Sequence, residues 1–123
     1  MPVQTRGQRF AMVAHTQISF RAQNKDQTVA AEYVTFAKKF PSLIHTCGLT
    51  QAVAFALAKK QVEYVADLAY VLGGVGHSGM TSAKALDEAA RTWEVGDYMR
   101  LSRDAIQAAS WLKRYVEATG EVD

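Results

Sequence analysis

The apolar residues of this chain recur at three- and four-residue intervals over most of its length, which is the spacing of one face of an α-helix. The longest such stripe lies near the carboxyl end and consists of Tyr98, Leu101, Ala105, Ala108, Leu112, Tyr115 and Val116. Prolines occur only at Pro2 and Pro41, and long stretches are rich in Ala, Leu, Lys, Gln and Glu, which favour helices. The sequence therefore predicts an all-α fold.

A chain of 123 residues can enclose one hydrophobic core but is too short for two ordinary domains. We therefore expect residues 1–123 to form a single compact helical bundle. The pattern predicts about five long helices and one short helical turn.

One predicted helix rests on a stripe formed by Val29, Tyr33, Phe36, Ala37 and Phe40. Asp26 is placed to cap its first turn, and Pro41 is expected to end it, because a proline disfavours helical geometry in the residue before it. Lys38 and Lys39 would then lie in the last turn, where the helix dipole favours cations. One more turn over 42–46 is expected to end at Gly48.

The remaining boundaries follow from capping residues and glycines. Helices are predicted over 6–21, over 49–60 with Lys59 and Lys60 in the last turn, and over 62–72. The glycine-rich stretch 73–79 predicts a flexible loop. Ser82 is a suitable N-cap for a helix that Gly96 breaks, and Asp97 for a last helix that ends at Gly120.

Charge and cysteine content restrict the classes of function. Fourteen Lys and Arg against twelve Asp and Glu give a formal charge of +2, which permits a local anion-binding patch but no strong overall field. The only cysteine, Cys47, excludes an internal disulfide and favours a reducing compartment. Since neither a secretory signal nor a membrane-spanning run is visible, we expect a soluble cytoplasmic protein.

Catalytic, cofactor and metal motifs are weak. Residues 74–81 match a phosphate-binding loop except that Met80 replaces the required lysine, so a linker between helices is the interpretation we adopt over nucleotide binding. Glu63 and Asp67 lie four residues apart, which is typical of a solvated helix face. His15, His45, His77 and Cys47 lack the spacing of zinc ligands. We expect no enzymatic activity, no cofactor and no metal.

A DNA-reading motif is also poorly supported. Residues 42–55 have the outline of a helix-turn-helix, with the turn at Gly48. The outward positions Ala54, Phe55 and Ala58 of the second helix cannot hydrogen-bond to base edges, and Gln51 is the exception that can.

A basic stripe on the last helix is the strongest candidate for a binding surface. Arg100, Arg103, Gln107 and Arg114 lie within about 60° of one another and span about 21 Å, on the side away from the apolar stripe. Guanidinium groups at such separations can bind phosphate oxygens without reading any base, which suits sequence-independent binding of a nucleic-acid strand. An ordinary solvated face gives the same pattern.

Two blocks of the sequence resemble the small-subunit family of the type III-B CRISPR RNA-targeting complex. The first block is Tyr33-Val34-x-x-Ala37-Lys38-Lys39-Phe40-Pro41-Ser42-Leu43-Ile44, followed by Gly48-Leu49-x-Gln51-Ala52-x-Ala54-Phe55. The second is Tyr98 with Leu101, Ala105 and Trp111-Leu112-Lys113-Arg114-Tyr115. Residues 1–25 and 73–79 match least.

This resemblance implies an all-helical, non-catalytic subunit that lines the path of the guide and target RNAs and braces a filament during antiviral defence. Its partners would be the other subunits, further copies of itself, the guide RNA and the target RNA. The implied RNA-binding residues within the matching blocks are Lys38, Lys39, Lys113 and Arg114, to which the stripe adds Arg100 and Arg103. The alternative is a helical protein-protein adaptor with no nucleic-acid role.

Overall fold

Six helices account for most of residues 4–23 and 31–119, the part of the chain that the computed structural model describes. They are α1 Arg6–Gln23, α2 Ala31–Cys47, α3 Leu49–Ala58, α4 Val62–Gly74, α5 Ala83–Thr92 and α6 Val95–Thr119. These residues contain no strand, and the predicted all-α fold is confirmed. None of their helices is long and apolar enough to span a bilayer.

The buried face of α6 forms the axis of the core. Its fully buried residues are the predicted stripe members Leu101, Ala105, Ala108, Leu112 and Val116, joined by Ala109. Helices α1 and α2 pack along α6, and α4 packs against both α1 and α6. Because alanines alternate with larger side chains in this stripe, the neighbouring helices can approach α6 closely.

Contacts between named residues give the helix directions. Arg6 and His15 of α1 meet Asp104 and Tyr115 of α6 in the same order, so these two helices run parallel. In contrast, α1 runs antiparallel to α4, since Arg6 donates to the carbonyl of Val75 while Arg21 pairs with Glu63.

Pro41 does not end α2, and this prediction was wrong. The helix continues through the proline to Cys47, so the segment over 42–46 is its final part and Lys38 and Lys39 lie mid-helix. A proline removes one backbone hydrogen bond, but Phe40 and Ile44 on either side of it are buried at 0% and 3% exposure, and their packing favours the continued helix. Gly48 ends α2 with φ 87°, as expected. The predicted cap Asp26 and stripe residue Val29 lie outside the described residues.

Two details of the predicted α6 boundary were also wrong. The helix begins at Val95, and the first backbone bond runs from Tyr98 N to the carbonyl of Glu94 at 2.8 Å. Gly96 and Asp97 therefore lie in its first turn, and the Asp97 carboxylate pairs with Arg100 instead of capping. The cap predicted for α5 is confirmed, since Ser82 Oγ accepts from Ala85 N at 3.1 Å. Gly120 is outside the described residues.

The glycine-rich stretch is more closely packed than the flexible loop expected from its composition. Gly73 and Gly74 complete α4, and a Cβ on Gly74 would lie 2.8 Å from Val13 Cγ2 of α1. Beyond them Val75 and Met80 are buried. These two helical glycines therefore allow close packing, because a larger side chain would collide with its neighbours.

Asp67 is buried, whereas its spacing from Glu63 predicted a solvated face, and that interpretation was wrong. Its carboxylate accepts from Gln17 Nε2 at 2.7 Å, from Arg21 Nε at 2.6 Å, and from the Tyr33 hydroxyl. The hydrogen bond to Asp67 raises the pKa of Arg21, and burial raises the pKa of Tyr33. The Asp67 carboxylate on α4 thus accepts hydrogen bonds from both α1 and α2, although these helices lie dozens of residues away in the sequence.

Replacing Leu112 with alanine should lower the free energy of unfolding by about 2 to 5 kcal/mol, because the side chain is fully buried and its removal leaves a cavity. Denaturant unfolding followed by circular dichroism measures this. Met99→Ala, on the same helix and 64% exposed, is the control and should change stability by less than about 0.5 kcal/mol. Equal effects of the two substitutions would contradict the assignment of the buried face.

Asp67→Asn should destabilise the protein by about 3 to 5 kcal/mol, since it leaves the largely buried Arg21 guanidinium without its main counter-ion. The same unfolding measurement applies. Glu63→Gln removes the other, exposed partner of Arg21 and should cost less than about 1 kcal/mol. If the Asp67 variant were no less stable than the Glu63 variant, the carboxylate would not be holding the three helices together.

Candidate nucleic-acid interface

The arginines of the predicted stripe lie on the outer surface of α6. Arg100, Arg103 and Arg114 are all exposed, as is Gln107 between them. The buried stripe lies on the opposite side of the same helix, so its burial holds these guanidinium groups toward solvent. Together they present three positive charges on one side of a single rigid element.

Each arginine has different surroundings. Arg100 pairs with Asp97 three residues earlier, Arg114 lies over the ring of Trp111 at 5.5 Å, and Arg103 has no ion pair within the described residues. An exposed pair of this kind contributes little free energy, and an arginine has five N–H donors, so Arg100 keeps donors for a phosphate. All three guanidinium groups are therefore available to a ligand that approaches from solvent.

The other three predicted residues do not join the stripe. Lys113 is half-buried and lies about 100° around α6 from Arg114. Lys38 and Lys39 are likewise about 100° apart on α2. The Lys39 ammonium lies 5.6 Å from the Phe36 ring and 5.9 Å from the Phe55 ring, on the side toward α3. The six residues are thus spread over at least two surfaces.

Lys59 is a basic residue that the sequence interpretation did not place in a binding site. Its ammonium lies 5.5 Å from the Phe55 ring, which Lys39 approaches from α2. The two lysines flank a groove of about 410 Å³ that Phe36 also lines. We call Lys39, Lys59 and Phe55 the lysine patch. Its only sequence signal is the Lys59-Lys60 pair at the end of α3, which the helix dipole explains equally well.

The structure gives no support to the phosphate-binding, metal-binding and helix-turn-helix motifs considered from the sequence. The glycine-rich stretch begins within the last turn of helix α4, whereas a phosphate-binding loop follows a strand. Within residues 4–23 and 31–119 no group of three His, Cys, Asp or Glu side chains is placed to hold a metal ion. On α3, Ala54 and Ala58 are exposed but offer no group that reads a base.

Comparison with known proteins gives matches that span nearly the whole chain. A family model described as CRISPR-associated protein (Cas_Cmr5) matches residues 6–119. The "CRISPR system Cmr subunit Cmr5" of Thermus thermophilus is 34% identical over 119 residues, covering 94% of this chain and 96% of that protein. A crystal structure of a CRISPR-associated Cmr5 family protein from Thermus thermophilus superposes with a TM-score of 0.81 at 34% identity, over 96% of this chain and 100% of that one. The family predicted from the two sequence blocks is confirmed.

Proposed function

We propose that this chain, which belongs to the Cmr5 family of CRISPR-associated proteins, is a non-catalytic structural subunit of a type III-B CRISPR RNA-targeting complex. Its partners are the other subunits of that complex, further copies of itself in the filament, the guide RNA and the target RNA. It lines the RNA path and braces the assembly in the cytoplasm during antiviral defence. The similarity to a relative described as a Cmr subunit supports membership of such a complex.

The observation that carries the RNA-binding part of the proposal is the exposed stripe of Arg100, Arg103 and Arg114 on the side of α6 opposite the core. These groups are spaced along about 21 Å of helix. Arginine forks bind phosphate oxygens in two parallel hydrogen bonds and carry no sequence information, so the surface binds any RNA sequence. A subunit that serves every guide needs this property.

The lysine patch adds a second basic surface on α2 and α3. Lys39 and Lys59 place two ammonium groups beside one aromatic ring, and Glu32 also lines the groove that they flank. The two positive charges outweigh this carboxylate, so the groove attracts a phosphate of an RNA strand. We therefore include Lys59 with Lys38, Lys39, Arg100, Arg103, Lys113 and Arg114 as RNA-contacting positions.

The second candidate function is a protein-protein adaptor that does not bind RNA. It is favoured by exposed apolar side chains at the start of α6, where Val95 is 73% and Met99 64% exposed. Such side chains are suited to contacts with a neighbouring subunit. The two functions differ in how they respond to salt.

Binding of single-stranded RNA should weaken with salt in proportion to the phosphates contacted. The three arginine contacts alone contribute about −2 to the slope of log affinity against log salt, and Arg100→Glu with Arg103→Glu should make the slope shallower by about 1.4 and weaken binding. Fluorescence anisotropy at several salt concentrations measures this for the purified protein and for the complex assembled with the larger subunits.

The control for this experiment carries the same change in net charge elsewhere. Lys84→Glu with Arg91→Glu alters two exposed residues of α5 and should leave the slope at the wild-type value. Circular dichroism should show an intact helical fold for both variants. A wild-type protein and complex whose RNA binding is absent or independent of salt would support the adaptor instead.

A further inference from the structure

We infer that a cavity at the amino-terminal end of α6 binds a single unpaired nucleobase of the RNA strand, preferring adenine or cytosine. This inference rests on the proposed RNA-binding function. It adds a contact to the base itself, beyond the phosphate contacts of the stripe.

The cavity opens between the loop after α4 and the start of α6. It has a volume of about 680 Å³, and its lining includes His77, Trp93, Glu94, Asp97 and Arg100. Arg100 belongs both to this lining and to the basic stripe. A strand whose phosphates follow the stripe therefore passes the mouth of the cavity.

Aromatic rings give the cavity a surface on which a base can stack. Trp93, at the end of α5, is 36% exposed, and its ring centroid lies 6.3 Å from that of His77 with the planes tilted by 34°. An exposed indole beside a cation-bearing helix is the combination that single-strand binding sites use, because every base has a π-face.

The His77 side chain, which forms one wall of the cavity, is held in place by other residues of the protein before any ligand binds. His77 Nε2 lies 2.7 Å from Asp104 Oδ2, and the same carboxylate pairs with Arg6 Nη2 of α1 at 2.5 Å. Asp104 is 7% exposed and lies on α6, so the loop that carries His77 is joined to both helices. A preorganised wall lowers the entropy cost of binding.

Two carboxylates determine which part of a nucleotide enters. Glu94 and Asp97 line the cavity, and Asp97 Oδ1 already accepts from Arg100. A carboxylate has two oxygens with several lone pairs, so both residues can still accept from an adenine N6 or cytosine N4 amino group. They repel phosphate and also the O4 acceptor of uracil. The charge distribution therefore directs the base inward and leaves the phosphate with Arg100 at the rim.

A single-tryptophan protein tests this site directly. The chain has two tryptophans, so Trp111→Phe leaves Trp93 as the only indole. We expect saturable quenching of its fluorescence by oligoadenylate and oligocytidylate, and little by oligouridylate or an abasic strand of equal length. In the wild-type background, Trp93→Ala should weaken oligoadenylate binding by about 5- to 150-fold, because a stacked base contributes about 1 to 3 kcal/mol.

Two further variants separate a base contact from a structural effect. Trp93→Phe keeps an aromatic face and should retain most of the affinity for oligoadenylate. Tyr70→Ala removes another exposed aromatic ring, on α4, and should change nothing.

The outcomes distinguish this inference from the proposed function. If all strands bind with the expected salt slope but Trp93→Ala leaves every affinity unchanged, or lowers all of them equally, the base site is refuted and phosphate binding stands. If no strand binds, both are refuted. Selective loss of adenylate and cytidylate binding supports the site.

Discussion

Burial of one face of α6 is the constraint on which the fold and the candidate surface both depend. Leu101, Leu112 and Val116 are fully buried between neighbouring helices, and a helix cannot rotate without exposing such residues to water. The position of the arginines on the opposite side is therefore fixed by hydrophobic packing and not by their own interactions. A surface built in this way keeps its charges extended toward solvent.

Polar contacts connect the core to the rim of the candidate sites. Asp67 ties α1 and α2 to α4, and α1 in turn holds the loop after α4 through Arg6 and the carbonyl of Val75. Arg6 also shares Asp104 with His77, which lines the cavity at the start of α6. The glycines of the loop after α4 suggested a flexible segment, but these contacts hold the loop in place as one wall of the cavity. Buried polar groups that are fully satisfied in this manner favour one arrangement of helices over others.

The periodicity of the sequence predicted the helix faces, which depend on local spacing. It did not predict features that depend on tertiary contacts. The α6 stripe and the outward stripe of Arg100, Arg103 and Arg114 were predictable, because both follow from 3.6 residues per turn. Pro41 was misjudged because burial of Phe40 and Ile44 opposes the local preference of proline. Asp67 was misjudged for another reason: its partners Arg21 and Tyr33 are supplied by helices distant in sequence. Lys59 was passed over because Lys39, which lies near the same Phe55 ring, belongs to another helix. The family was recognisable from two motifs, whereas the cavity beside Trp93 carries no linear signal.

The central claim is that α6 presents its arginines to RNA phosphates while its other face remains in the core. A cryo-electron microscopy structure of the assembled complex with guide and target RNA measures this most directly. We expect phosphate oxygens within salt-bridge distance of the guanidinium groups of Arg100, Arg103 and Arg114. Guanidinium groups that face only protein carboxylates or bulk solvent in that structure, with RNA running elsewhere, would contradict it.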